Sequence, residues 1–304
     1  MATGKNLAEK ILAGARRLLG GEGLETAAKG VEERGPTDGK KLAQKKRALL
    51  RHNIFYIKSA EAPEKGGLKI VPSGIKEFDR LIKDGGFERG STILVSGGAG
   101  TGKTTFILQS MHHSASEKGL KCAYISFEEE PEKIKAHMKK NYGWDFYELE
   151  RKGLFTIVKL DSLEVARDVE QALLQRKGEL KISMTKIDLP FLPDVVALDS
   201  LSALSIAFTE EESYRKYISE LLGSLVQLNC VSYVISETEQ DPRIYSRTGV
   251  EEFLVDGVVV LYNLKKGGKR ENALEILKLR SSAHQKSRVP YRITTAGLVL
   301  DPNA

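Results

Sequence analysis

Cysteine is scarce in this 304-residue chain: Cys122 and Cys230 are the two, each inside an apolar, strand-like run. A small buried thiol is the expected state of both, rather than a disulfide or a metal ligand, and the expected compartment is a reducing cytoplasm. Long apolar runs are missing too. No stretch approaches the roughly 18 uninterrupted apolar residues of a membrane span. The opening "MATGKNLAEKILAGARRLLG" lacks the apolar block and small-residue cleavage site of a secretory signal. No internal repeat is visible. What is present is enough apolar content, 41%, to bury a full core, as one large domain with an appendage.

Positive charge is unevenly placed. Residues 1–67 hold 14 Lys and Arg against 8 Asp and Glu, and the remainder holds 33 of each sign, so the whole excess of +6 lies in the N-terminal segment. Leu7, Ile11, Leu12, Ala15, Leu18 and Leu19 form one helical stripe with Lys10, Arg16 and Arg17 off it. A connector, "GGEGLETAAKGVEERGPTDG", and a second basic helix, "KKLAQKKRALLR", come next. Residues 1–67 therefore read as a basic arm, and residues 68–304 as the main domain.

From Leu68 the pattern is α/β. "STILVSGG", "KCAYISF", "LFTIVKL", "DVVALDS", "CVSYVISE" and "VDGVVVLYN" are β-rich runs with little alternation, as in strands covered on both faces. Helical stretches are expected over Thr104–Ser116, Pro131–Lys140, Leu163–Arg176 and Glu211–Leu228. Such alternation predicts a mostly parallel, twisted sheet flanked by helices. After Val255 strands succeed one another through short turns, so antiparallel strands are expected at the C-terminal end.

The loop after the first of these strands, "GGAGTGKT", fits G-x-x-x-x-G-K-[ST]. Its backbone N–H groups, from Gly97, Gly98, Ala99, Gly100, Thr101 and Gly102 into Lys103, Thr104 and Thr105, can turn around phosphate oxygens at a helix N-terminus. Lys103 can reach the β and γ phosphates, and the Thr104 hydroxyl suits Mg²⁺. This pattern points to a nucleoside triphosphate. Asp199, closing "VVALDS", is placed to hold the Mg²⁺ water shell beside Thr104. Glu128 and Glu129, in "ISFEEEP", stand at the end of the next strand, where ligands of α/β sheets sit, and either can orient and deprotonate an attacking water. Glu130, ahead of Pro131, reads as a helix N-terminal charge. "TKID" at 185–188 is similar to a guanine-reading pattern, but it precedes the Asp199 strand and runs into "LPFLP", read as a loop, so guanine selectivity is not expected.

On "VPSGIKEFDRLIKDGGFERGSTILVSGGAGTGKTT", "ISFEEEP", "GVEEFLVDGVVVL" and "LEILKLRSSAHQKSRVPYRIT", over three-quarters of the chain resembles the RecA superfamily, specifically single-domain KaiC-like ATPases. The resemblance implies a RecA-like phosphate-loop core and ring hexamers that bind ATP and Mg²⁺ between subunits. It also implies paired glutamates matching Glu128 and Glu129 as catalytic acids, and Lys278 and Arg280 of "KLR" at a neighbour's γ-phosphate. His284 matches a nucleotide-proximal histidine, and Ser236 in "SETE" keeps a hydroxyl where the family senses nucleotide. Departures exist. The clock members have two tandem ATPase domains, and their phosphorylated Ser/Thr pair is replaced here by "EEFLVD", residues 251–256.

Two functions are compatible with these features. One is a KaiC-like ATPase that acts on a protein partner, for which the basic arm offers a surface. The other is a recombination-type ATPase whose arm and "KKGGKR" turn, residues 265–270, would bind nucleic acid. That turn has no interleaved aromatic residue, and Phe55 and Tyr56 are the only stacking candidates near the arm. The first reading is favoured.

Overall fold

The computed structural model describes residues 54–59, 69–175, 186–238 and 245–301. The chain divides into two units, residues 1–48 and 49–304, and every element below belongs to the second. Both expected helices of the basic arm lie outside the described residues.

The elements run β1 (Phe55–Ser59), β2 (Ile70–Val71), α1 (Lys76–Asp79), β3 (Phe87–Glu88), β4 (Thr92–Gly97), α2 (Lys103–Lys118), β5 (Cys122–Ser126) and α3 (Pro131–Tyr142). They continue with α4 (Phe146–Arg151), β6 (Phe155–Lys159), α5 (Ser162–Gln175), β7 (Ile187–Phe191), β8 (Val195–Asp199), α6 (Leu201–Ala207) and α7 (Glu211–Leu228). Last come β9 (Val231–Glu237), α8 (Glu251–Leu254), β10 (Gly257–Lys266), β11 (Lys269–Leu279), β12 (Val289–Thr294) and β13 (Gly297–Leu300).

A nine-stranded sheet has the order β13-β12-β11-β10-β4-β9-β8-β5-β6. From β10 to β6 every pairing is parallel, and β11, β12 and β13 add antiparallel strands. Alternate residues feed two cores, one on each face. Ile93 and Val95 of β4, Tyr124 of β5 and Tyr233 of β9 pack against Phe106, Ile107 and Met111 of α2. Leu94, Ile125, Leu198 and Val234 pack on the other face against Val165 and Val169 of α5 and Ile218, Leu221 and Leu225 of α7. Phe78, Phe87, Phe106 and Tyr233 interlock edge to face or tilted at 5.1–6.4 Å between centroids. Truncating Phe106, which is fully buried, would cost roughly 3–5 kcal/mol.

Local chemistry sets the ends. Glu130 is the N-cap residue of α3 and Pro131 opens the helix, where its missing N–H costs nothing; Gly143, at φ 73°, closes it. "LPFLP" is not a loop. It lies largely in β7, which pairs in parallel with β1 and alternates buried Ile187, Leu189 and Phe191 with exposed Asp188 and Pro190. A proline lacks a ladder donor, and it is tolerated where its position faces away from the partner strand. β1 lies within the segment that charge alone assigns to the arm, yet Phe55 is fully buried in the core beneath α5 and α7. Phe55 is therefore not free to stack on a base, whereas Tyr56 is 51% exposed.

Candidate functional site

The phosphate-type loop joins β4 to α2, at the carboxyl edge of the parallel strands. Gly97 is where the backbone must pass closest to another strand: a Cβ there would stand 2.2 Å from the Leu261 carbonyl oxygen. Gly102, the N-cap of α2, has φ 89°, and a Cβ would press on Ile293 Cδ1 at 2.6 Å. β12 holds the loop from outside. Tyr291 donates to the Thr101 carbonyl at 2.5 Å, and Thr101 Oγ1 donates to the Gly98 carbonyl at 2.9 Å. Ala99 and Gly100 are exposed at the tip, while the Thr105 hydroxyl meets that of Tyr142 at 3.3 Å.

Lys103 is buried, with its ammonium donating to the Gly98 carbonyl at 3.0 Å and to Glu237 Oε1 at 3.1 Å. Beside it, the Thr104 hydroxyl donates to Asp199 Oδ2 at 3.0 Å. Tyr124, buried within β5, donates to the same oxygen. Burial pushes the Asp199 carboxyl up from its ordinary 3.8 to about 6, and the charge of Glu128 acts in the same direction against the hydrogen bond from Tyr124.

The two glutamates differ. Glu128 accepts a hydrogen bond from Ser200, the residue after Asp199, whose oxygen also caps α6 by accepting from Ala203 N–H at 3.2 Å. Glu129, less exposed than Glu128, pairs with Lys133, in the first turn of α3, at 3.1 Å. Ser126 fixes this corner: its hydroxyl accepts from Glu129 N–H at 2.9 Å and donates to the Glu129 carbonyl at 2.6 Å.

The remaining residues singled out in the sequence lie elsewhere. Ser236 is buried in β9 and its oxygen accepts from Arg247 N–H at 3.2 Å; the next residue, Glu237, is the one that meets Lys103. Lys278 donates to the carbonyls of Glu252 and Val255, at 3.0 and 2.7 Å. Burial lowers its pKa, and Arg280 adds to that. Arg280 is exposed, 3.8 Å from Asp256. These two cations lie at the other end of the sheet from the loop. Gly97 is level with Leu261 on β10 and so with Leu274 on β11, whereas Lys278 is level with Val258 and Leu94. Three residues along β4 is about 10 Å, a bulge in the β10–β11 pairing taking up the fourth residue on β11, and two strand spacings add about 10 Å sideways, so neither side chain reaches its own chain's loop. His284 lies beyond the same end, bridged to Ile82, with its Nε2 buried and unpartnered among the described residues. Asp188 of "TKID" lies in β7, paired with β1.

Sequence reasoning missed Glu237, Ser200, Tyr124 and Tyr291. Glu237 ends a parallel strand beside the loop, so the same rule that picked Glu128 points to it. Tyr124 and Tyr291 sit inside strands and carry no local signal.

Residues 71–304 match the family described as "ATPase: KaiC". The chain is 32% identical over 240 residues to the circadian clock oscillator protein KaiC of Rippkaea orientalis, covering 78% of this chain and 44% of that protein. It is 33% identical over 245 residues to KaiC 1 of Synechocystis, covering 80% and 46%. The chain thus spans less than half the length of these relatives. The crystal structure of the KaiC-like protein PH0186 from Pyrococcus horikoshii superposes with a TM-score of 0.64 at 29% identity, covering 77% of this chain and all of that one. With a RecA-like sheet, a phosphate loop at its carboxyl edge and this match over most of its length, the chain belongs to the KaiC family of ATPases.

Proposed function

We propose that this protein binds ATP with Mg²⁺ and hydrolyses it at sites shared between neighbouring copies in a ring, and that the nucleotide state of the ring is coupled to a protein partner. The observation that carries the reading is the separation of its parts. Lys103, Thr104, Asp199 and Glu128 converge at one edge of the sheet, while Lys278 and Arg280 are held at the other, beyond reach of their own loop. A second copy set head to tail would bring the two edges together. Phe253 and Leu254, 71% and 41% exposed beside those cations, give that edge an apolar surface to bury.

The oxygen donors fit a hard cation. Thr104 and Asp199 are 3.0 Å apart, and among the described residues no group of three or more His, Cys, Asp or Glu could hold a metal, so a Mg²⁺ ion would take most of its ligands from phosphate and water. Bound there, it would neutralise charge on the β and γ phosphates. Tyr124 and Thr104 orient the Asp199 carboxylate, Lys103 binds phosphate oxygens, and Glu128, steadied by Ser200, takes a proton as water attacks the γ-phosphorus and the bond to the β-phosphate breaks.

No helix among the described residues is long and apolar enough to cross a membrane, and a cytoplasmic setting suits the free thiols. The nucleic-acid reading loses one of its two stacking candidates: Phe55 is core, whereas Tyr56 stays exposed. The reading is tested by Mg²⁺-dependent phosphate release and by ATP binding, with Lys103→Ala expected to lose both. ATP binding that survives intact in Lys103→Ala would contradict it.

A further inference from the structure

Resting on the nucleotide reading of this site, we infer that Glu237 is a latch on Lys103, a carboxylate that occupies the loop's ammonium until a nucleotide displaces it. Lys103 has three N–H donors; one goes to the Gly98 carbonyl and one to Glu237 Oε1 at 3.1 Å. The pair is unequal. The Lys103 side chain is 6% exposed and that of Glu237 45%, so the ammonium is enclosed while the carboxylate stands in the open mouth of the site.

The backbone of Glu237 is fixed at the level of the loop. Gly97 and Glu237 are register partners across β4 and β9, and Thr238 N–H donates to the Gly97 carbonyl at 3.2 Å. Ser202 grips the same residue from α6: its oxygen accepts from Glu237 N–H at 2.6 Å, and its hydroxyl donates to the Glu237 carbonyl at 3.4 Å. What remains free is the side chain. It can swing away from Lys103 without moving the strand.

A triphosphate asks for the same ammonium. It carries more charge than one carboxylate and is held by the loop's N–H groups as well, so it wins Lys103, but it must do so against Glu237. The displaced carboxylate then faces like charge at the γ-phosphate end, a repulsion that favours its turning outward. The latch therefore steadies the empty site and weakens nucleotide binding at once.

These two effects have opposite signs, and that makes the test sharp. The full chain and its Glu237→Gln variant are compared by thermal unfolding and by titration with Mg²⁺ and the β–γ imido analogue of ATP, which is not hydrolysed. Removing the charge is expected to lower the melting temperature of the empty protein by a degree or two, because an ion pair is lost. It is also expected to tighten binding by about tenfold, so that the analogue raises the melting temperature more in the variant than in the wild type. Binding that is unchanged or weaker in Glu237→Gln overturns the latch, as does a loss of stability in both empty and bound states, which marks Glu237 as structural. If the wild-type chain binds no nucleotide, the reading of the site falls and the latch with it. If wild type binds, Lys103→Ala does not, and Glu237→Gln is no tighter, the site stands and only the latch fails.

Discussion

Replacing Asp199 by Asn should make the empty protein more stable while leaving it unable to use Mg²⁺. Asp199 is enclosed at the end of β8, and its carboxyl is raised from 3.8 to about 6, chiefly by burial. At pH 8 the group is charged in both folded and unfolded chains, and that shift corresponds to about 3 kcal/mol against the folded state. The sign comes from the direction. A raised carboxyl costs nothing well below pH 4, where both states are protonated; the cost builds between about pH 4 and about pH 6 and is constant above that. Asn keeps an acceptor for Tyr124 and Thr104 without the charge, although its amide also needs a partner, which trims the gain. At roughly 2–4 °C per kcal/mol for a domain of this size, several degrees should remain.

The assay is thermal unfolding of wild type and Asp199→Asn, without nucleotide or metal, from pH 4 to pH 8. The variant should melt several degrees higher at pH 8, with the gap closing towards pH 4. Adding Mg²⁺ and ATP should then raise the wild type and not the variant. A variant no more stable than wild type at pH 8, or a gap of equal size at both ends of the range, would contradict a costly buried charge at Asp199.

The two glutamates should separate: Glu128→Gln is expected to lower turnover by about 10² or more with ATP still bound, whereas Glu129→Gln, which loses a surface pair with Lys133, keeps most activity. Equal losses in steady-state turnover would contradict this assignment. Deleting residues 1–48, ahead of buried Phe55, should leave the second unit folded and leave any weak binding to single-stranded DNA, read by fluorescence anisotropy, with the same dependence on salt. A flatter salt dependence after the deletion would instead assign the arm to nucleic acid.

The parallel sheet was legible because its strands, buried on both faces, read as continuous apolar runs, and because a helix such as α3 carries its own start and stop residues in Pro131 and Gly143. β7 was not: Pro190 and Pro193 mask an alternation that only its pairing with β1 explains. Within the site, the residues expected to contact phosphate announce themselves by fixed spacing along one loop. Asp199 and Glu128 emerge from the rule that sites form at strand ends. Ser200 and Tyr124 do not, because what they do depends on neighbours 72 and 75 residues away in the chain. The placement of Lys278 and Arg280 could be read only from strand register, which puts them at the far edge of the sheet.

Mixing two inactive proteins shows whether the site is completed by that far edge of a neighbouring copy. Glu128→Gln with Glu129→Gln removes the acids of one edge, and Lys278→Ala with Arg280→Ala removes the cations of the other; each protein alone should be nearly silent, since a cation at the γ-phosphate can contribute about 10³ to 10⁵ to turnover. In a mixture with verified exchange of copies, some interfaces join intact glutamates of one copy to intact Lys278 and Arg280 of the next. A shared site predicts recovered ATPase activity, rising with the fraction of mixed interfaces. A mixture that stays as silent as its parts would contradict a site shared between copies.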